Sequence, residues 1–143
     1  MLDTRLNSSF WALRLTYGLV PVVAGLDKFT NLLTHWADYL SPLIRRVLGV
    51  APGTFMHLVG VVEILAGILV LSRFTRYGAY VVSAWLLLIA LNLLTTGHFF
   101  DVAVRDVVMA VGAFVLARLS EVKADVRAGV PDAGNLQTAR TTV

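Results

Sequence analysis

The chain contains no cysteine. That excludes disulfides, thiolate zinc sites, iron–sulfur clusters and cysteine nucleophiles, and it leaves the redox compartment open. Charge is scarce as well: 15% of the 143 residues are Asp, Glu, Lys or Arg, where an ordinary soluble domain carries about a quarter. Proline is rare, and of the 4 in the chain only Pro21 interrupts an apolar run. What fills the chain instead is apolar: 57% of residues are hydrophobic, and the mean hydropathy is +0.76. Such a composition exceeds what one buried core in water absorbs, so the expected solvent is lipid. The formal charge of +3 does not indicate nucleic acid. The basic residues sit at the ends of apolar runs rather than along one face, a distribution that fits membrane orientation.

A bilayer core about 30 Å thick takes roughly 20 helical residues. Four runs have that length or nearly so, over about residues 8–27, 54–71, 77–96 and 102–119. The sequence therefore predicts an all-α fold, an integral membrane four-helix bundle. The first run reads as a retained span rather than a cleaved signal. Arg14 and Pro21 interrupt it, and "VVAG" (Val22 to Gly25) fits a cleavage site only weakly. The breaks are clear: Asp27-Lys28 closes the first span, and Pro52 opens the second in a first-turn position. "SRFTR" (Ser72 to Arg76) and "TGHFFD" (Thr96 to Asp101) supply the remaining turns.

Four spans put both termini on one side, and eight of the 12 basic residues would lie there. The positive-inside rule then makes that side the cytoplasm. The expected location is a bacterial or archaeal cell membrane, multi-pass. Residues 29–52 form a long outer loop, amphipathic around Trp36, Tyr39, Leu40, Leu43, Ile44, Val47 and Leu48, that suits the membrane interface. From residue 120 to 143 the chain is polar and reads as a disordered cytoplasmic tail.

Ionisable groups at membrane depth cost roughly 2.5–3.5 kcal/mol to insert, so each is a site candidate. Glu63 lies between Gly60 and Gly67, which share a helix face seven residues apart. Small residues mark close helix contacts in membranes, which turns Glu63 toward the bundle interior. Two readings of Glu63 stand side by side: an ion pair with Arg14 that locks two helices, or a carboxylate that carries protons. At the outer end the topology collects His35, His57 and His98 with Asn92, Asp101 and Asp106, beside Asp27 and Lys28. Histidine with carboxylate suits proton transfer or a metal drawing on His35, His57, His98 and Asp101, and His57 with His98 suits a haem. No H-x-x-x-H or E-x-x-H spacing occurs. Asp106 also suits the dipole at a helix start. Arg105 is expected to pair with Asp101, four residues back, or with a ligand's anionic group.

The ending "AGLDKF" (Ala24 to Phe29), the span "GVVEILAGILVL" (Gly60 to Leu71), the basic turn "RFTR" (Arg73 to Arg76) and the opening "RDVVMAVGA" (Arg105 to Ala113) resemble the DoxX family of small four-helix membrane proteins. The resemblance covers roughly residues 8 to 119. It carries over Lys28 and Glu63, then Arg14 and Asp106; the histidines match no family signature. It implies a membrane subunit tied to quinone-dependent respiration, since one member belongs to an archaeal terminal quinol oxidase and a relative to a thiosulfate:quinone oxidoreductase. On that reading the cofactor is quinone or quinol, and Glu63, His57 and His98 are the catalytic candidates because quinol oxidation releases protons. Arg14, Lys28, Asn92, Arg105 and Asp106 would help bind it. The chain would be an oxidoreductase subunit beside a partner redox subunit or further copies of itself. The alternatives are a non-catalytic scaffold or assembly factor for a partner enzyme, or a small transporter with Glu63 on its path.

Overall fold

The computed structural model describes residues 2–129. Among these residues the chain is helical throughout, without a strand. The order is α1 (Leu2–Thr30), a 3-10 turn (Trp36–Tyr39), α2 (Pro42–Leu48), α3 (Pro52–Leu71), α4 (Thr75–Thr96) and α5 (Phe100–Arg127). Local chemistry explains the ends. Ser41 caps α2 by accepting the Leu43 N–H at 3.2 Å. Gly49 (φ 60) and Gly97 (φ 73) close α2 and α4 in the left-handed conformation that glycine adopts without strain. Pro52 opens α3 as expected.

Two boundaries differ from the sequence expectation. Helix α1 continues past residue 27 to Thr30, so Asp27 and Lys28 lie inside its last turn. Helix α5 runs to Arg127, about two turns beyond the expected end of the fourth span. Its polar end is docked rather than free: Glu121 accepts from Tyr80 Oη at 3.0 Å and from Arg118, and Lys123 Nζ donates to Asn7 Oδ1 at 2.6 Å. The rest of the expected disordered tail, residues 130–143 with Arg140, lies outside the described residues.

Packing follows the small residues. Helices α1 and α3 run antiparallel along a glycine seam in which Gly25 meets Gly60 and Gly18 meets Gly67. A Cβ on Gly25 would stand 2.5 Å from the Gly60 carbonyl oxygen, and one on Gly67 would stand 2.5 Å from that of Gly18. Helices α4 and α5 close through Ala79, Ser83, Ala90, Ala103, Ala110 and Ala113, with Ser83 Oγ donating to the Ala110 carbonyl at 2.9 Å. Helix α3 also packs on α4, and α5 touches α1, where Tyr17 fills the space beside Gly112.

Arg14 does not pair with Glu63. Its guanidinium donates to the carbonyls of Val70 (3.3 Å), Leu71 (2.6 Å) and Ser72 (2.7 Å) and stacks on Trp11. These are the last carbonyls of α3, which have no partner within their own helix. The expected Arg14–Glu63 lock is thus replaced by a side-chain cap on the opposite end of α3.

The large apolar side chains point outward: Leu19, Leu65, Leu88 and Val108 are 50%, 61%, 58% and 65% exposed. Small residues inside and large ones outside invert the pattern of a water-soluble fold and require an apolar surround. Helices α1, α3 and α4 are long and apolar enough to cross a membrane. Helix α5 is long enough but carries Asp101, Arg105 and Asp106 near one end and Arg118, Glu121 and Lys123 near the other. The chain is accordingly a membrane protein with several apolar helices.

Candidate functional site

The loop end of the molecule, where α1 stops and α3 begins, holds a buried charge cluster. Lys28 Nζ lies 2.6 Å from Glu63 Oε2, and the two side chains are 4% and 8% exposed. Gly60 makes the approach possible. A Cβ there would stand 3.1 Å from Lys28 Cβ and 2.6 Å from the Gly25 carbonyl, so the lysine crosses α3 where α3 has no side chain. Glu63, one turn further on, then meets the ammonium.

Trp36 covers the pair. Its ring centroid lies 3.6 Å from Lys28 Nζ, a cation–π contact. Its indole Nε1–H donates to Asp27 Oδ2 at 2.7 Å. Asp27 also accepts the Leu32 N–H (3.0 Å) and the Leu33 N–H (3.1 Å to Oδ2). The adjacent residues Asp27 and Lys28 therefore divide the work: the acid orders the chain leaving α1, and the base holds the tryptophan that this chain brings back.

Asp106 adds a further buried carboxylate, on α5. It is buried on the same stretch of α5 as exposed Arg105. Among the described residues it has no hydrogen-bond partner; its nearest cation, Arg105, stays 3.9 Å away and is 66% exposed. The expected Arg105–Asp101 pair does not form, and both side chains face outward. From α4, Trp85 brings its indole N–H near the Glu63 carboxylate. That buried nitrogen makes no hydrogen bond of full geometry among the described residues.

Asn92 lies outside the cluster and fixes the loop above it. Its Oδ1 accepts the Ser41 N–H at 3.1 Å, and its Nδ2 donates to the Tyr39 carbonyl at 2.8 Å. Tyr39 in turn stacks on Phe99, with centroids 4.4 Å apart. Phe99 holds a left-handed backbone (φ 61), a strained conformation for a bulky residue. Asn92 therefore acts as a loop anchor in the place where a ligand contact was expected.

The three histidines share an end but not a place. His57 is exposed on α3 and stacks on Phe29, centroids 4.9 Å apart and planes within 10°. The two rings line an apolar surface groove of about 400 Å³ that Leu48, Val50, Leu58 and Val61 help enclose. His98 is exposed in the α4–α5 turn, where its backbone N–H bonds Thr96 Oγ1. His35 is exposed at the start of the 3-10 turn. Among the described residues no three His, Asp or Glu side chains converge as metal ligands, so His35, His57, His98 and Asp101 do not form the expected metal set. Sequence reasoning placed Trp36 only on an amphipathic loop and Asp27 only among the polar groups at the outer end, and missed that the two bond to each other over Lys28.

A family model described as DoxX matches residues 10–98. That stretch holds Lys28, Trp36, Glu63, Trp85 and Asn92, whereas Arg105 and Asp106 on α5 lie beyond it. No curated protein and no solved structure matches the chain. Since the match spans more than half of the 143 residues and includes both members of the buried ion pair, the chain belongs to the DoxX family.

Proposed function

We propose that this protein is a membrane subunit of quinone-dependent redox chemistry, with α5 as a fourth span and both termini in the cytoplasm. One observation carries the reading: a lysine and a glutamate are buried together at membrane depth, 2.6 Å apart, at the end of the molecule where a lipid-facing groove opens. A quinone needs apolar walls for its tail, a flat surface for its ring and a few polar groups for its oxygens. The groove beside Phe29 and His57 has the walls and the stacked rings, so these residues fit the group. A bound quinone would supply two-electron, two-proton chemistry. His57, in the groove lining, would donate a hydrogen bond to a ring oxygen, and Glu63, on another face of α3, would take up a proton relayed to it rather than directly from the ring. The electrons would pass to a partner subunit.

A second reading is a scaffold for a partner enzyme. It draws on the closure of the Lys28–Glu63 pair by Trp36, which ties α1, α3 and the loop together without any ligand. The test is purification in mild detergent followed by quinone extraction. Wild type is expected to retain quinone, and His57→Leu and Glu63→Gln to lose it while remaining folded. Equal retention in all three, with only a lowered melting temperature in Glu63→Gln, would leave the scaffold reading standing.

A further inference from the structure

Between α3 and α4 lies a second surface groove, of about 470 Å³, which shares no lining residue with the one beside His57. Val62, Leu65, Ile68 and Leu69 line it from α3 and Val81 from α4, and Ser72 closes it at the α3–α4 turn. Its walls are aliphatic along their length. From Val62 to Ser72 the helix rises about 15 Å, one leaflet's share of a hydrocarbon core about 30 Å thick. The groove therefore has the length and the chemistry of a site for one acyl chain.

The turn at its mouth is held in place and basic. Ser72 Oγ donates to the Leu69 carbonyl (2.7 Å) and accepts the Phe74 N–H (3.1 Å), and Thr75 Oγ1 donates to the Val70 carbonyl (2.9 Å). Arg14 fixes the Leu71 and Ser72 carbonyls from α1. The next residue, Arg73, is exposed, with its guanidinium 4.9 Å from the Phe74 ring centroid. Among the described residues Arg73 has no carboxylate partner. Arg76 reaches Glu121 at 2.9 Å, but Arg118 pairs with the same carboxylate. One acid thus serves two guanidiniums, and this end keeps a surplus of positive charge. We propose that the α3–α4 groove and Arg73 bind one phospholipid of net negative charge, its chain against Leu65, Ile68 and Val81 and its phosphate on the Arg73 guanidinium. The surplus selects the head group: an anionic lipid offsets it, whereas a choline lipid brings a cation of its own. The site includes neither member of the Lys28–Glu63 pair, so it is independent of whether a quinone binds beside His57.

Native mass spectrometry of the full chain, released from micelles that hold phosphatidylglycerol and phosphatidylcholine in equal amounts, tests it. Wild type is expected to keep one phosphatidylglycerol in preference to phosphatidylcholine. Arg73→Gln is expected to lower that preference about fivefold, the worth of one basic residue at an anionic lipid surface. Val81→Phe, which fills the groove and leaves the charges alone, is expected to lower retention of both lipids. Arg46→Gln, on α2 at the other end of the molecule, is expected to match wild type. Equal retention of the two lipids by wild type overturns the proposal, a result that needs no variant to fold. So does an Arg73→Gln preference equal to that of Arg46→Gln, since the attraction is then one of net charge and not of a site. Undiminished retention in Val81→Phe overturns it as well.

Discussion

Replacing Lys28 by Met removes the cation that pairs with the buried Glu63 carboxylate. Truncating one partner of a buried pair typically costs about 3–5 kcal/mol, because the charge left behind has neither water nor a counter-ion. At about 1.4 kcal/mol per decade, that is a fall of roughly two to four orders of magnitude in the folded-to-unfolded ratio. Lys28 also loses its contact with Trp36, worth about 0.5–2 kcal/mol, so the upper part of the range is expected. Glu63→Gln should be milder, because glutamine keeps a hydrogen-bond acceptor near the ammonium. The double variant Lys28→Met with Glu63→Gln leaves neither charge of the pair and should lie above Lys28→Met alone, giving a coupling energy of about 1–3 kcal/mol. Reversible unfolding in mixed micelles, followed by tryptophan fluorescence, measures all four corners of the cycle. The pH dependence has a definite sign. Without Lys28 the fold carries an uncompensated anion, so protonation favours it, and the deficit of Lys28→Met should shrink as pH falls. Additive single variants, or a Lys28→Met stability within about 0.5 kcal/mol of wild type, the usual range for surface substitutions, would refute the reasoning.

The seam and the loop give two further tests. Gly60→Ala places a Cβ 2.6 Å from the Gly25 carbonyl oxygen and 3.1 Å from Lys28 Cβ. It should cost about 1–3 kcal/mol by overpacking and weaken the Lys28–Glu63 coupling, whereas the same change at Gly53, which faces open space, should do neither. Asn92→Ala leaves the Ser41 N–H and the Tyr39 carbonyl without their partner, a loss of about 1–3 kcal/mol confined to the loop. Amide exchange should rise over residues 36–41 and stay unchanged along α3; unchanged exchange over 36–41 would show that the anchor does not hold the loop.

The composition and the lengths of the apolar runs located every long helix, because lipid demands a fixed length and a continuous apolar character. The inward turn of Glu63 was legible too, since Gly60 and Gly67 mark a close-contact face. Its partner was misread although the signal was present. Gly18 and Gly25 on α1 repeat the seven-residue spacing of Gly60 and Gly67 on α3. Laying the two pairs against each other antiparallel places Arg14 beside Leu71 and Lys28 beside His57, one to two turns from Glu63. In the structure Arg14 binds the Leu71 carbonyl and Lys28 reaches Glu63. The Trp36 cover had no such signal, because it depends on the path of a loop held by Asp27 and Asn92 from two different helices. The histidines were placed at one end by topology, but shared depth is not a shared face. His57 and Glu63, six residues apart on α3, point in different directions by helical geometry.

Helix α5 shows why a hydropathy reading undervalues a part of the chain that buries a charge. The family match stops at residue 98, and α5 fails as an apolar span because of Arg105, Asp106 and its neighbours in charge. Yet α5 carries Asp106, a buried carboxylate whose nearest cation is Arg105 at 3.9 Å. A charge that lowers a helix's apparent affinity for lipid must be held by something inside the protein, and here α4 and α5 provide it. Their alanine faces and the Ser83–Ala110 bond bring α5 close, so that Asp106 is buried in the protein rather than facing lipid. The same carboxylate that weakens the case for α5 as a span therefore gives α5 its reason to lie against the other helices.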